Sequence, residues 1–281
     1  MSKIAIVTDS ISSLTPIMGQ EYGVHVVPTY IIFGTDTYRD GADLDTEQFY
    51  CLLRGNKQLP TTSQPTSTDF EQLYTKLSQQ VEAIVSIHAS KKVSATVDSA
   101  RAARKELADV PIHVIDAQTF AMAQGQVVIA AARAASNGHN VEQIVQLVEE
   151  LAPKTNLIFT VETLEYLRRG GRIGGATALL GSALRVKPIL HIANGQVEPL
   201  EKPRTRKRSV GRLLDLMEER VGTSDAVHVA VLHCDALDDA QRLGERVTAR
   251  FNCAELLITE AGPTIGTHAG PGTLGLAFYT A

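Results

Sequence analysis

The chain has 281 residues, about the length of two domains, with 44% hydrophobic and 21% charged residues. That is ordinary globular usage, with enough apolar content for a buried core and no need of a staple. A net charge of −4 argues against nucleic acid, whose binders are usually basic. Three scattered cysteines (Cys51, Cys234, Cys253) in no C-x-x-C spacing argue against a disulfide or zinc framework and for a reduced setting.

The opening MSKIAIVTDS is too short an apolar run for a signal peptide and reads as a buried strand, Lys3–Val7. No run of about 18 apolar residues exists, so no membrane span is expected and a cytoplasmic protein is. Thr15-Pro16 is an N-cap followed by proline at the first helical position, and Gly23 closes that helix. Val24–Phe33 reads as strand. Thr68-x-x-Glu71 has the form of a capping box, with Phe70, Leu73, Leu77 and Val81 at helical spacing. Strand Ala83–Ile87, helix Ser94–Leu107, strand Ile112–Ile115 and helix Phe120–Ser136 follow. Asn140-x-x-Gln143 caps a further helix with Ile144, Val148 and Leu151 on one face.

Pro153-Lys154-Thr155 breaks the pattern, which places a domain boundary between residues 154 and 155. Beyond it come strand Asn156–Val161, helix Thr163–Arg169, a helical Gly175–Leu184, and a hairpin over 189–200 turned by Asn194-Gly195. Helix Ser209–Val221, strand Ala226–Leu232, helix Asp235–Phe251 and strands Glu255–Thr259 and Thr273–Tyr279 finish the chain. Strands alternating with helices predict an α/β fold of two domains, 1–154 and 155–281, with largely parallel sheets.

Thr8-Asp9-Ser10 lies after the first strand, where open α/β sheets bind ligands, although a turn or cap has the same composition. Pro60 and Pro65 bracket Thr61, Thr62 and Ser63 in a donor-rich turn or a solvated loop. Ser94 opens a helix, either as its N-cap or as part of an anion site. Tyr166–Gly175 sets Arg168, Arg169 and Arg172 among four glycines. Lacking a P-loop lysine, it reads as an anion cradle or as a helix end and linker. Lys202–Arg208 holds five basic residues in seven, a solvated basic strand or a docking patch for an acidic partner or membrane surface. No aromatic residues interleave there to stack bases.

Gly270–Gly275 matches G-x-G-x-x-G, but only six residues follow, too few for the helix that holds a pyrophosphate. The segment reads as a tight loop entering the last strand, with its glycines bringing His268 and the backbone near a ligand. No G-x-S-x-G, H-E-x-x-H or paired-carboxylate motif is present. The candidate loops share hydroxyls, one histidine and arginine, a set suited to a carboxylate or phosphate.

IVTDS at 6–10, TTSQPT at 61–66, SAT at 94–96, YLRRGGRIGGATALLGSALRVKPIL at 166–190, RTRKR at 204–208 and IGTHAGPGTLG at 265–275 together resemble the DegV-type bacterial fatty-acid-binding proteins. The resemblance spans essentially the whole chain. It implies two α/β domains with the ligand in the cleft between them, and a carrier that presents a long-chain fatty acid to a fatty acid kinase, without cofactor or metal. Thr61 or Thr62 and Ser94 would then bond the acyl carboxylate. Arg172 and His268 would belong to the polar network around it. Asp9, Ser10, Thr96 and Gly270 would support the site, and Arg204 and Arg206 would face the kinase; transient contact with a membrane surface is compatible. The chain departs from the family pattern at Ala95, usually glycine, and at Ala117, Ala121 and Ala123, whose methyls alter loop and pocket shape. The alternative is an α/β hydrolase or transferase acting on a small carboxylic or phosphorylated substrate through Asp9 and His268. A dinucleotide oxidoreductase is a third class.

Overall fold

In the computed structural model, which describes residues 3–56, 58–105, 107 and 110–280, thirteen strands and ten α-helices are formed by the described residues. The amino-terminal half runs β1 (Ile4–Asp9), α1 (Pro16–Tyr22), β2 (Val24–Val27), β3 (Tyr30–Phe33), β4 (Asp36–Arg39), α2 (Thr46–Gly55), β5 (Thr61–Ser63), α3 (Ser67–Ser78), β6 (Ala83–His88), α4 (Thr96–Lys105), β7 (Ile112–Asp116), α5 (Ala121–Ser136) and α6 (Val141–Leu151). A 3₁₀ turn, Ala152–Lys154, leads to β8 (Asn156–Thr160), α7 (Glu165–Arg169) and a 3₁₀ stretch, Gly174–Arg185. The chain ends through β9 (Ile189–Ala193), β10 (Gln196–Glu201), α8 (Arg206–Val221), β11 (Val227–His233), α9 (Leu237–Arg250), β12 (Cys253–Glu260), α10 (Pro263–Ala269) and β13 (Leu274–Thr280).

The fold is α/β. Its first sheet, ordered β2-β1-β6-β7, is parallel throughout. The second, β10-β9-β8-β13-β11-β12, is mixed: only β11 and β12 pair in parallel. Parallel pairing, which the alternation of strands and helices implies for both halves, therefore holds throughout the first sheet and for one strand pair of the second. The hairpin at Asn194-Gly195, with φ of 50° and 78°, makes β9 and β10 antiparallel. The helix before β13 packs on α7 and α2 instead of crossing its own sheet, so β13 re-enters antiparallel between β8 and β11. A third, antiparallel sheet, β4-β3-β5, carries the hydroxyl-rich strand.

Helix α5 ties the halves together. It buries 12 of its 16 residues, as expected of a helix apolar on all sides, and contacts strands of both large sheets. Its alanines and glycine permit that approach: a Cβ at Gly125 would lie 2.7 Å from the Ser12 carbonyl oxygen. One apolar cluster accordingly joins Ile6 and Val127 to Leu157 and Leu232.

Several local readings shift. Pro28 splits Val24–Phe33 into β2 and β3, which join different sheets, because proline cannot donate to a ladder. The cap of α3 is Thr66 with Asp69, two residues before the expected box, and both reciprocal bonds form. Helix α4 covers most of the expected 94–107, of which Glu106 lies outside the described residues. Thr205 caps α8, so Arg206–Arg208 form a first helical turn and not a basic strand. His268 stands in the last turn of α10, not on a glycine-proline loop, since Pro263 at the first helical position starts a helix there.

Candidate functional site

A cavity lies where the β3–β5 sheet, the start of α4 and the start of α5 meet the second sheet and α10. It holds about 790 Å³ of atom-free space, open mouth included. Phe120, Leu157, Phe159, Leu167, Leu232 and Ile265 form apolar wall. Thr62, Ser94, Arg172 and His268 line the same cavity, although the chain separates the first from the last by 206 residues.

These four residues are linked by way of two intermediaries, Gly170 and Val93. Thr62 Oγ1 and His268 Nε2 are 2.8 Å apart. Another edge of the imidazole rests on Gly170, where a Cβ would stand 2.1 Å from Nδ1. The Gly170 carbonyl accepts from Arg172 Nη1 at 2.8 Å, and Arg172 Nε donates to the Val93 carbonyl at 3.0 Å. Ser94 follows directly. Its hydroxyl lies 2.8 Å from Thr96 Oγ1 and accepts from the Thr96 backbone N–H at 3.3 Å. Ser94 thus supports the start of α4 while lining the cavity, so the two readings of it coexist.

Strand alternation separates the two threonine candidates. Thr62 pairs with buried Ile31 and faces inward, whereas Thr61 is exposed and does not line the cavity. Burial holds the His268 pKa down at about 4, with the Arg172 charge adding to the effect. At neutral pH the ring is therefore uncharged, and Nδ1 has no hydrogen-bond partner among the described residues. A neutral imidazole against a hydroxyl, a serine and a guanidinium can bind an acid head group by hydrogen bonds, with Arg172 as the positive charge.

Three of the four glycines around Arg172 serve close packing, while Gly171, with open space around it, stands at φ +70°. Besides Gly170 under His268, a Cβ at Gly174 would strike the Val197 carbonyl oxygen at 2.2 Å, and one at Gly175 would strike the Glu198 carboxylate at 1.8 Å. Arg168 and Arg169 both pair with half-buried Glu165, whose carboxyl they hold down at about 2. Only Arg172 of the three reaches the cavity wall.

The supporting candidates lie elsewhere. Asp9 is fully buried and bonds His88 Nδ1 at 2.8 Å and the Ala89 N–H at 3.2 Å. His88 Nε2 meets Ser86 Oγ at 2.7 Å, which Tyr74 also bonds. Ser86, His88 and Asp9 have the composition of a nucleophile triad, but all are at 0% exposure, so no substrate reaches them. Asp9, engaged by His88, does not line the cavity that His268 lines, so the two residues of the hydrolase or transferase reading do not share one site. Ser10 bonds Thr29, which lines the cavity, from behind the wall. Thr96 is buried behind Ser94. Gly270, at φ +78°, packs under the Tyr166 ring, which a Cβ would meet at 2.3 Å. Thr29, Asp40 and Thr264 lie in no motif that the sequence singles out, whereas Gly170 falls in the Tyr166–Gly175 stretch without its contact to His268 being legible there.

A family model described as "Uncharacterised protein, DegV family" matches residues 3–281. The chain belongs to the DegV family. Among its relatives, a DegV domain-containing protein of Halalkalibacterium halodurans is 36% identical over 99% of both chains. Two solved structures resemble this chain over 100% of both chains. One is a DegV family protein from Thermus thermophilus described for its fatty acid binding (TM-score 0.94, 32% identity), and the other is DegV from Bacillus subtilis, described as a fatty acid binding protein (TM-score 0.93, 34% identity).

In this family member the basic segment divides between two environments. Arg204 is exposed. Arg206 is mostly buried, with Nε 3.4 Å from Glu162 and Nη2 3.5 Å from Asp239. Lys187 also pairs with Glu162, so the segment's inner face is a salt-bridged joint. No helix among the described residues is long and apolar enough to cross a membrane, and no group of three His, Cys, Asp or Glu side chains among them could hold a metal ion.

Proposed function

We propose that this protein binds a long-chain fatty acid, its tail in the apolar cavity and its carboxylate at Thr62, Ser94, Arg172 and His268. The observation that carries the reading is the juxtaposition of those four residues with a wall of Phe, Leu and Ile. Magnitudes divide the labour. A sixteen-carbon tail buries about fourteen methylenes at ~0.8 kcal/mol each, roughly 11 kcal/mol gross. Each hydrogen bond to the carboxylate adds about 1.5–3 kcal/mol before desolvation. The tail supplies affinity and the polar residues supply orientation. The fatty acid binding described for the Thermus and Bacillus relatives supports the same assignment.

On this reading the ligand lies where residues 1–154 and 155–281 meet, and the protein is a cytoplasmic carrier, not a catalyst. It offers the carboxylate to a fatty acid kinase for acyl-phosphate formation, with exposed Arg204 on the docking face. Solvent extraction of the purified protein followed by mass spectrometry tests the binding: a fatty acid near one per chain is expected. Absence of lipid, together with no displacement of a fluorescent fatty acid by palmitate, sinks the reading.

A further inference from the structure

Asp40, the residue after β4, is buried at 5% exposure. Its Oδ2 accepts the Thr264 backbone N–H at 3.2 Å and the Thr29 hydroxyl at 3.3 Å. Thr264 is the second residue of α10, whose N-cap, Gly262, has no side chain to offer. The first N–H groups of a helix lack partners within it and are usually met by a capping Ser, Thr, Asp or Asn. Pro263 removes one of those donors, and Asp40 meets the next from 224 residues away. Glycine at 262 admits it: a Cβ there would stand 3.2 Å from Asp40 Oδ1.

The cap is braced on its other side. The Asp40 N–H donates to the Thr29 carbonyl at 2.9 Å, Ser10 Oγ lies 2.8 Å from Thr29 Oγ1, and the Thr29 and Thr264 hydroxyls bond each other. Thr264 and His268 stand four residues apart on one face of α10, and both line the cavity, as Thr29 does. Burial pushes the Asp40 pKa up, against bonds from Thr264, Ser10 and Thr29. A carboxyl buried without a charged partner is costly, so its retention calls for a task that an apolar residue could not perform.

We propose that Asp40 is a positioning residue for the cavity: by capping α10 from the end of β4, it sets the placement at which His268 meets Thr62. What occupies the site rests on the fatty acid reading; the placement of His268 does not. Asp40→Asn keeps an acceptor oxygen, Asp40→Ala removes it, and Gly262→Ala presses a methyl on the carboxyl at a φ of −62° that any residue adopts. Circular dichroism checks folding, imidazole NMR follows the His268 titration (assigned with His268→Gln), and displacement of a fluorescent fatty acid gives palmitate affinity.

Asp40→Asn should match the parent titration, with affinity within about threefold. Folded Asp40→Ala and Gly262→Ala should weaken palmitate about tenfold. They should also move the His268 midpoint up from about 4 toward its ordinary 6.5. An unmoved midpoint in folded Asp40→Ala overturns the proposal whatever the affinity does; if that variant fails to fold, Gly262→Ala decides by the same midpoint. A parent protein that binds no palmitate sinks the carrier reading alone, because the titration still reports on Asp40.

Discussion

Gly170 and His268 touch so closely that a methyl group at position 170 would fall 2.1 Å from His268 Nδ1. The contact explains a glycine whose own φ of −74° demands none. It also predicts the outcome of the smallest possible change. Gly170→Ala must displace the imidazole and break its 2.8 Å contact with Thr62. We expect a loss of about 1–3 kcal/mol in urea denaturation, typical of overpacking, together with weaker fatty acid binding. An alanine variant of parental stability and affinity would show that the ring has room to move.

The His268 titration gives a pH signature. Its folded pKa, about 4, lies below the ordinary 6.5, so between those values the unfolded chain binds the extra proton. Stability from this group is complete above pH 6.5 and is lost as pH falls toward 4. Denaturant midpoints from pH 7 to pH 4 should show the decline, and His268→Gln should lack that portion. Bound palmitate should raise the His268 midpoint in NMR, since a facing carboxylate favours the charged ring.

Thr62 and Thr61 form an internal control. Thr62→Val removes the partner of His268 Nε2 and should weaken palmitate about tenfold. Thr61→Val, on the exposed face, should stay within about 0.5 kcal/mol in stability and leave binding intact. Equal losses at both positions would mean that β5 does not keep its register with β3. Ser94→Ala should weaken binding modestly yet cripple phosphorylation in a coupled kinase assay.

The two arginines of the basic segment should separate. Arg204→Glu alters an exposed side chain and should abolish kinase coupling while leaving thermal stability and lipid affinity unchanged. Arg206→Glu brings a third acid to Glu162 and Asp239 and should also lower the melting temperature. Loss of lipid affinity in Arg204→Glu would assign that residue to the ligand site instead.

Much of the fold was legible because its signals are local. The capping box at Asn140, the proline and glycine that bracket α1, and the Asn194-Gly195 turn each act within a few residues. Where local signals misled, a longer contact had intervened. Direction in the second sheet depended on where α10 docks, and the cap of α3 moved to Thr66 because Asp69 answers it. Of the candidate site, Ser94, Arg172 and His268, which line one cavity, were singled out by residue type and motif. The choice of Thr62 over Thr61 was not, because a one-residue difference in a strand is a difference of face.

The sequence by itself determined the α/β class, most of the helices and strands, and a set of hydroxyl, arginine and histidine side chains suited to an acid head group. It did so because propensity, capping and periodicity are properties of neighbours along the chain. Only the tertiary structure decided that Thr62 meets His268, that Gly170 backs the ring, that Asp9 is spent on His88, and that Asp40 caps a helix 224 residues away. Those relations depend on burial and on distances of about 3 Å between segments far apart in sequence, where no residue's own type records its partner.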